Sequence, residues 1–211
     1  MFNNKEINHG GCWYPILIGQ IVMTFAPDAA VPLDDPSIQF ATGGRTVSFT
    51  IPAGSTTAVF SISSMALQTG TVAGTINLAL SLQSDKGDVN TSVTRALHVL
   101  RAAPVARSME AVRTATGFEL RITGYSTPLQ VTAAVVQLTP TAGTALQTTE
   151  LTIPLTDLAN SWYQSSVAAP FGSQFVLTLP FTVQGNTTGI DSASVRLVNA
   201  QGTSAPATAK F

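Results

Sequence analysis

Apolar residues alternate with threonine, serine and other small polar residues over most of the chain. In Arg45–Ile51, the side chains of Val47, Phe49 and Ile51 fall on one face and Thr46, Ser48 and Thr50 on the other. A period of two marks a strand in a sheet with one wet face. Between Thr71 and Gln83, the residues Ile76, Leu78, Leu80 and Leu82 share a face in the same way. The pattern predicts further strands at 16–25, 38–40, 58–62, 94–101, 105–114, 118–123, 131–139, 149–155, 175–183, 193–198 and 205–211. Turn residues fill the gaps, as at Pro52–Ala53–Gly54–Ser55 and Asp85–Lys86–Gly87–Asp88. Between Thr156 and Ser166 the period breaks, and Asp157–Tyr163 predicts one or two helical turns joining two sheets.

The rhythm pauses at Arg101–Ala102–Ala103–Pro104 and then restarts, which reads as a short linker between two units that touch. The expected fold is all-β: two tandem immunoglobulin-like β-sandwich domains, at 16–102 and 103–211. Residues 1–15, rich in Asn and Gly, form a leader of doubtful native status. The second unit carries about seven strands, the number of an immunoglobulin-like sandwich. The first carries about six by the same reading, as though it lacked its opening strand.

Composition strengthens the β reading. Only 10% of residues are charged, against about 25% in an average globular chain. Threonine and valine take their place, and both suit a half-buried pleat. The formal net charge is −1, and the arginines are scattered rather than interleaved with aromatics, so nothing here draws a polyanion and nucleic-acid binding is excluded. The single cysteine, Cys12, forms no internal disulfide, so each sandwich must hold by packing. Pro15–Ala26 is apolar enough to be read as the core of a signal peptide. Glu6 before it and the interruption at Gly19–Gln20 favour a strand instead. No run is long enough to cross a bilayer as a helix.

Several stretches look familiar as a set: Asp34–Asp35–Pro36, Ile38 through Gly54 with its Gly43–Gly44 turn, Thr69 through Ile76, and Arg101–Val105 running into Thr116–Gly117–Phe118. Together they resemble uncharacterised immunoglobulin-like tandem modules of large extracellular proteins from soil bacteria of the acidobacterial type. The likeness spans about residues 20–211 and rests on turns and strands. It implies a sandwich fold and a secreted or cell-surface location within a longer chain. It hands over no catalytic residue.

Few constellations could carry chemistry. His9–Gly10–Gly11–Cys12–Trp13 matches the His-Gly-Gly run with which some esterases present backbone N–H groups to an oxyanion. That reading needs a Gly-x-Ser-x-Gly elbow, which is absent from the sequence. His98, the other histidine, sits on a predicted strand between Leu97 and Val99 and reads as a side chain at a sheet surface. Two histidines and one cysteine are poor material for zinc or copper. Calcium is the better metal candidate. Asp85, Asp88 and Asn90 set oxygen donors around a glycine turn, and Asp28, Asp34 and Asp35 make a second acidic loop. Asp and Asn are also ordinary turn formers, and no closing glutamate follows. Trp162–Tyr163 reads either as a sugar platform or as a plug between two sheets.

Three functions follow. The first is a non-catalytic extracellular module: a spacer, adhesion or assembly unit whose partners are other domains of a longer parent protein or another chain. The second is a small ester or lactone hydrolase, with or without a calcium requirement, supported by His9–Gly10–Gly11 and the acidic loops. The third is a carbohydrate-binding module resting on Trp162 and Tyr163. Apart from calcium, no cofactor is expected.

Overall fold

The computed structural model describes residues 15–28 and 33–211, apart from the side chains at 90–92. The chain is all-β, built of antiparallel sheets packed as β-sandwiches. In the first half the strands are β1 (Leu17–Pro27), β2 (Ile38–Phe40), β3 (Thr46–Ile51), β4 (Val59–Phe60), β5 (Leu67–Thr69), β6 (Gly74–Ser84) and β7 (Gly87–Val99). Five of these form one sheet in the order β4-β3-β1-β6-β7, and β2 pairs with β5 alone. The alternation of Val47 and Phe49 with Thr46, Ser48 and Thr50 sets the inner and outer faces of β3. Register then carries the inner face across the sheet: Ile21 lies opposite Val47 and Leu80, and Leu80 opposite Val93.

In the second half the strands are β8 (Val105–Arg113), β9 (Gly117–Tyr125), β10 (Ala133–Pro140), β11 (Glu150–Pro154), β12 (Gln174–Thr182), β13 (Ile190–Asn199), β14 (Gly202–Thr203) and β15 (Ala207–Lys210). One sheet runs β12-β9-β8. The other runs β11-β10-β13-β14, with β15 also on β13. A helix, α1 (Thr156–Tyr163), follows β11 on the way to β12. The core between these sheets is made by Leu120, Ile122, Ala134, Val136, Val195 and Leu197, all fully buried.

The predicted strands are present, with three differences. The first half has seven strands among the described residues, not six, because β5 was not legible: Leu67–Gln68–Thr69 lacks the second apolar residue that completes the alternation in the equally short Ile38–Gln39–Phe40. The sequence places a turn through Asp88 and a strand only from Thr94, whereas β7 begins at Gly87. Only Asp85 and Lys86 turn between β6 and β7, a two-residue hairpin in which Gly87 has φ 114°. Last, the two-residue β14 was not foreseen at all. Residues 15–26, apolar enough to suggest a signal-peptide core, form most of β1 and its approach.

Candidate functional site

The densest polar chemistry lies where the two halves meet. Asp35 is completely buried. One carboxyl oxygen accepts from the Ser37 N–H at 2.9 Å and from the Ser37 hydroxyl. The other accepts from the Thr71 N–H, from the Thr71 hydroxyl at 3.0 Å and from the Val72 N–H at 3.0 Å. A buried polar group is tolerable only when it is bonded this fully. Thr71 passes the connection to the second half. Its carbonyl accepts from the Ser173 hydroxyl at 2.6 Å, and its own hydroxyl accepts from the Ser173 N–H at 3.1 Å. The Tyr163 hydroxyl donates to the Ser173 carbonyl at 3.0 Å.

Two glycines make room for this carboxyl. A Cβ on Gly70 would stand 2.6 Å from one Asp35 oxygen, and a Cβ on Gly172 would stand 2.7 Å from the other. Both glycines also have positive φ, 71° and 59°, where L side chains are strained. Gly70 belongs to the first half and Gly172 to the second, so the carboxyl is walled from both sides.

Beside the polar hub lies an apolar one. Val72, Leu129 and Tyr163 are buried together, with Phe25 and Leu33 of the first half and Trp162 and Phe175 of the second packed against them. Leu129 has φ 55°, the single positive φ of a non-glycine residue among the described residues. Such a backbone costs on the order of 1 kcal/mol or more, and here it sets the leucine side chain into the joint. Burial pushes the Tyr163 hydroxyl well above the usual tyrosine range, because its ionised form would lose its hydration. The linker is fastened too. The Ala102 N–H donates to the Thr127 hydroxyl, which donates to the Leu100 carbonyl, and the Ala73 N–H bonds the Thr127 carbonyl.

Asp85 is at the hairpin tip. Asp88 lies within β7, and its carboxylate accepts from the Gln83 amide at 2.9 Å across the hairpin. The Asn90 side chain lies outside the described residues. Of the second acidic group, Asp28 pairs with Arg101 and Asp34 with Arg45, each at 2.7 Å, while Asp35 faces the donors of the joint. Among the described residues no three His, Cys, Asp or Glu side chains gather as a metal-binding group. His98 is exposed on the outer face of β7, with Nδ1 3.1 Å from the Thr75 hydroxyl. His9, Gly10, Gly11, Cys12 and Trp13 lie outside the described residues.

Trp162 and Tyr163 act as a plug. Tyr163 is 5% exposed. The indole N–H of Trp162 donates to the Gln174 carbonyl at 3.1 Å, which fixes the ring as a wall of a recess of about 230 Å³ between α1 and β12. A larger cleft, about 770 Å³, opens at the other end of the second half, between the 141–149 loop and the β12–β13 connection. Phe181 and Leu146 are part of its apolar lining, while Thr144, Gln147, Gln184 and Asn186 supply hydroxyls and amides. No ionisable side chain lines it. Neither the cleft nor the Asp35 hub was legible in the sequence, since their residues are separated by long stretches of chain and look like ordinary turn residues. Compared with known protein families and curated proteins, the chain matches no family model and no curated protein.

Proposed function

We propose that this chain is a non-catalytic extracellular module, two immunoglobulin-like β-sandwiches in tandem, serving as a spacer, adhesion or assembly unit of a larger secreted or cell-surface protein. The observation that carries this reading is the joint. The carboxyl of Asp35, the hydroxyls of Thr71, Ser173 and Tyr163, and the Val72–Leu129–Tyr163 cluster all serve to hold the two halves in one orientation. A chain that must set the distance and angle between its neighbours needs such a joint. A pair of independently mobile domains does not. Low charge and threonine-rich outer faces suit the same role.

The competing reading is an ester or lactone hydrolase dependent on calcium at Asp85, Asp88 and Asn90. The test is turnover of a panel of short esters and lactones by the purified chain, with calcium and with chelator, beside a His9→Ala variant. The module reading predicts no turnover above buffer under any condition. Turnover that chelator or His9→Ala abolishes would overturn it.

One observation favours a second reading, a carbohydrate-binding module. The neutral cleft around Gln147, Gln184 and Asn186 offers amides and hydroxyls over an apolar floor, a lining that suits a neutral polyhydroxylated ligand. Retention on insoluble polysaccharide that Gln184→Ala reduces and Trp162→Phe spares would place the sugar in this cleft. Retention lost in Trp162→Phe and spared in Gln184→Ala would return it to the recess beside α1.

A further inference from the structure

The inner face of the five-stranded sheet is covered unevenly. At one end it is closed: Met23 of β1, Val47 of β3 and Ile76 of β6 are buried against Ile38 and Phe40 of β2. Further along β6 and on β7 it is open. Leu80 and Leu82 are half-buried, and Val89, Val93 and Leu97 on the same face are 36%, 48% and 41% exposed. Register sets Leu82 opposite Val89 and Leu80 opposite Val93, while Leu97 lies opposite the buried Ile76. One charged side chain interrupts the strip. Arg95, opposite Leu78, lies on this same face and is exposed. Both ion pairs found among the described residues use other arginines, Arg45 and Arg101.

Two strand edges lie open among the described residues: β5 pairs only with β2, and β7 only with β6, whereas the outer edge of β2 is bonded to Asp35, Gly43, Gly44 and the Arg45 side chain. The covering sheet has two strands against five, so among the described residues no strand covers the β7 side. An apolar sheet face flanked by unpaired strand edges is the geometry that takes an added strand: main-chain bonds form along an edge while alternate side chains drop onto the face.

We propose that this strip receives an extended segment of another protein, with branched apolar side chains at alternate positions and one carboxylate among them at the level of Arg95. Charge chooses between candidate occupants. A second copy set face to face would bring two Arg95 guanidiniums into one apolar interface, whereas a glutamate or aspartate in the added strand pairs with the arginine in partly desolvated surroundings, where an ion pair is worth more than at an open surface. The proposal rests on the module reading above and specifies how such a module would be joined to its neighbour.

The test uses the intact chain and a fluorescently labelled eleven-residue peptide that alternates valine and threonine, with the central valine replaced by glutamate. A control peptide carries lysine there. The expected result is saturable anisotropy binding, about fivefold tighter for the glutamate peptide than for the lysine peptide. Arg95→Glu should reverse that preference. Leu97→Ser, at a position exposed enough to leave folding intact, should weaken both peptides without moving the melting midpoint. Absence of saturable binding overturns the proposal, as does binding that ignores both the peptide's charge and Arg95→Glu. Concentration-dependent dimerisation abolished by Leu97→Ser, with no peptide binding, would make a second copy the occupant and overturn it as well. Any of these failures, with the ester panel still silent, removes the docking strip and leaves the module reading standing. Turnover in that panel removes the module reading itself.

Discussion

The two halves of the molecule use the same pattern of alternating residues and end with cores of different completeness. In the second half both sheets are broad, α1 closes one open side, and fourteen buried residues form one continuous core. In the first half, among the described residues, a five-stranded sheet is matched by a two-stranded one, and five buried residues form the cluster between them. A strand pattern specifies which face turns inward. It does not specify whether enough partner surface exists to cover that face. The first half therefore leans on the joint, where Val72 is buried, and Phe25 and Leu33 half-buried, against side chains of the second half.

The largest expected effect comes from breaking that dependence. Asp35→Ala removes the acceptor for the Ser37, Thr71 and Val72 N–H groups together. It should cost about 4 kcal/mol, because two buried N–H donors and a half-buried one lose their partner at once. Gly172→Val, which drives a side chain against the same carboxyl from the other half, should act in the same direction. Both are read by urea unfolding. An Asp35→Ala variant as stable as the parent would mean that the joint contributes little.

Core truncation sharpens the comparison between halves. Leu120→Ala, in the closed core, should cost about 3 kcal/mol, and Leu80→Ala, on the half-open face of the first, about 1 kcal/mol. Equal costs would show that the open face is covered in solution.

The joint should also be sensitive to base. The folded-state pKa of Tyr163 lies above its unfolded value, which is about 10. Its contribution is therefore fully present below about pH 10, because the unfolded chain alone gives up the proton above that point. Stability should fall as pH rises from about 10 towards 12, by up to about 1.4 kcal/mol per unit. Tyr163→Phe should flatten the slope in urea titrations across that range. An unchanged slope would assign the alkaline loss to other groups.

The smallest effect belongs to the open strip. Val93→Ser in the isolated chain should change stability by no more than about 0.5 kcal/mol, since half of the side chain is already in water. A much larger loss would mean that Val93 is covered.

The strands were the legible part of the sequence, because alternation such as Val47-Phe49-Ile51 against Thr46-Ser48-Thr50 reports a local property of the backbone. So was the helical link at 157–163, where the period visibly breaks. β5 and β14 were hidden because neither Leu67–Gln68–Thr69 nor Gly202–Thr203 carries two apolar residues in alternation, as the short Ile38–Gln39–Phe40 does. The joint was hidden for a different reason. Asp35 and Ser173 are 138 residues apart and meet through Thr71, and each is a residue type that ordinarily belongs in a turn. Asp28, Asp34 and Asp35 illustrate the same point. As a sequence cluster they suggested a cation loop, but in space two of them face arginines and the third faces backbone donors. Spacing along the chain conveys the acidity of a segment and leaves its partners unspecified.

The most direct test of the central claim, that the joint makes the two halves one mechanical unit, is differential scanning calorimetry of the intact chain beside Asp35→Ala. The account predicts a single transition in the parent, with calorimetric and van't Hoff enthalpies equal, and two separated transitions in the variant, the first half melting earlier. Two independent transitions in the parent would contradict it, because the halves would then unfold without reference to each other.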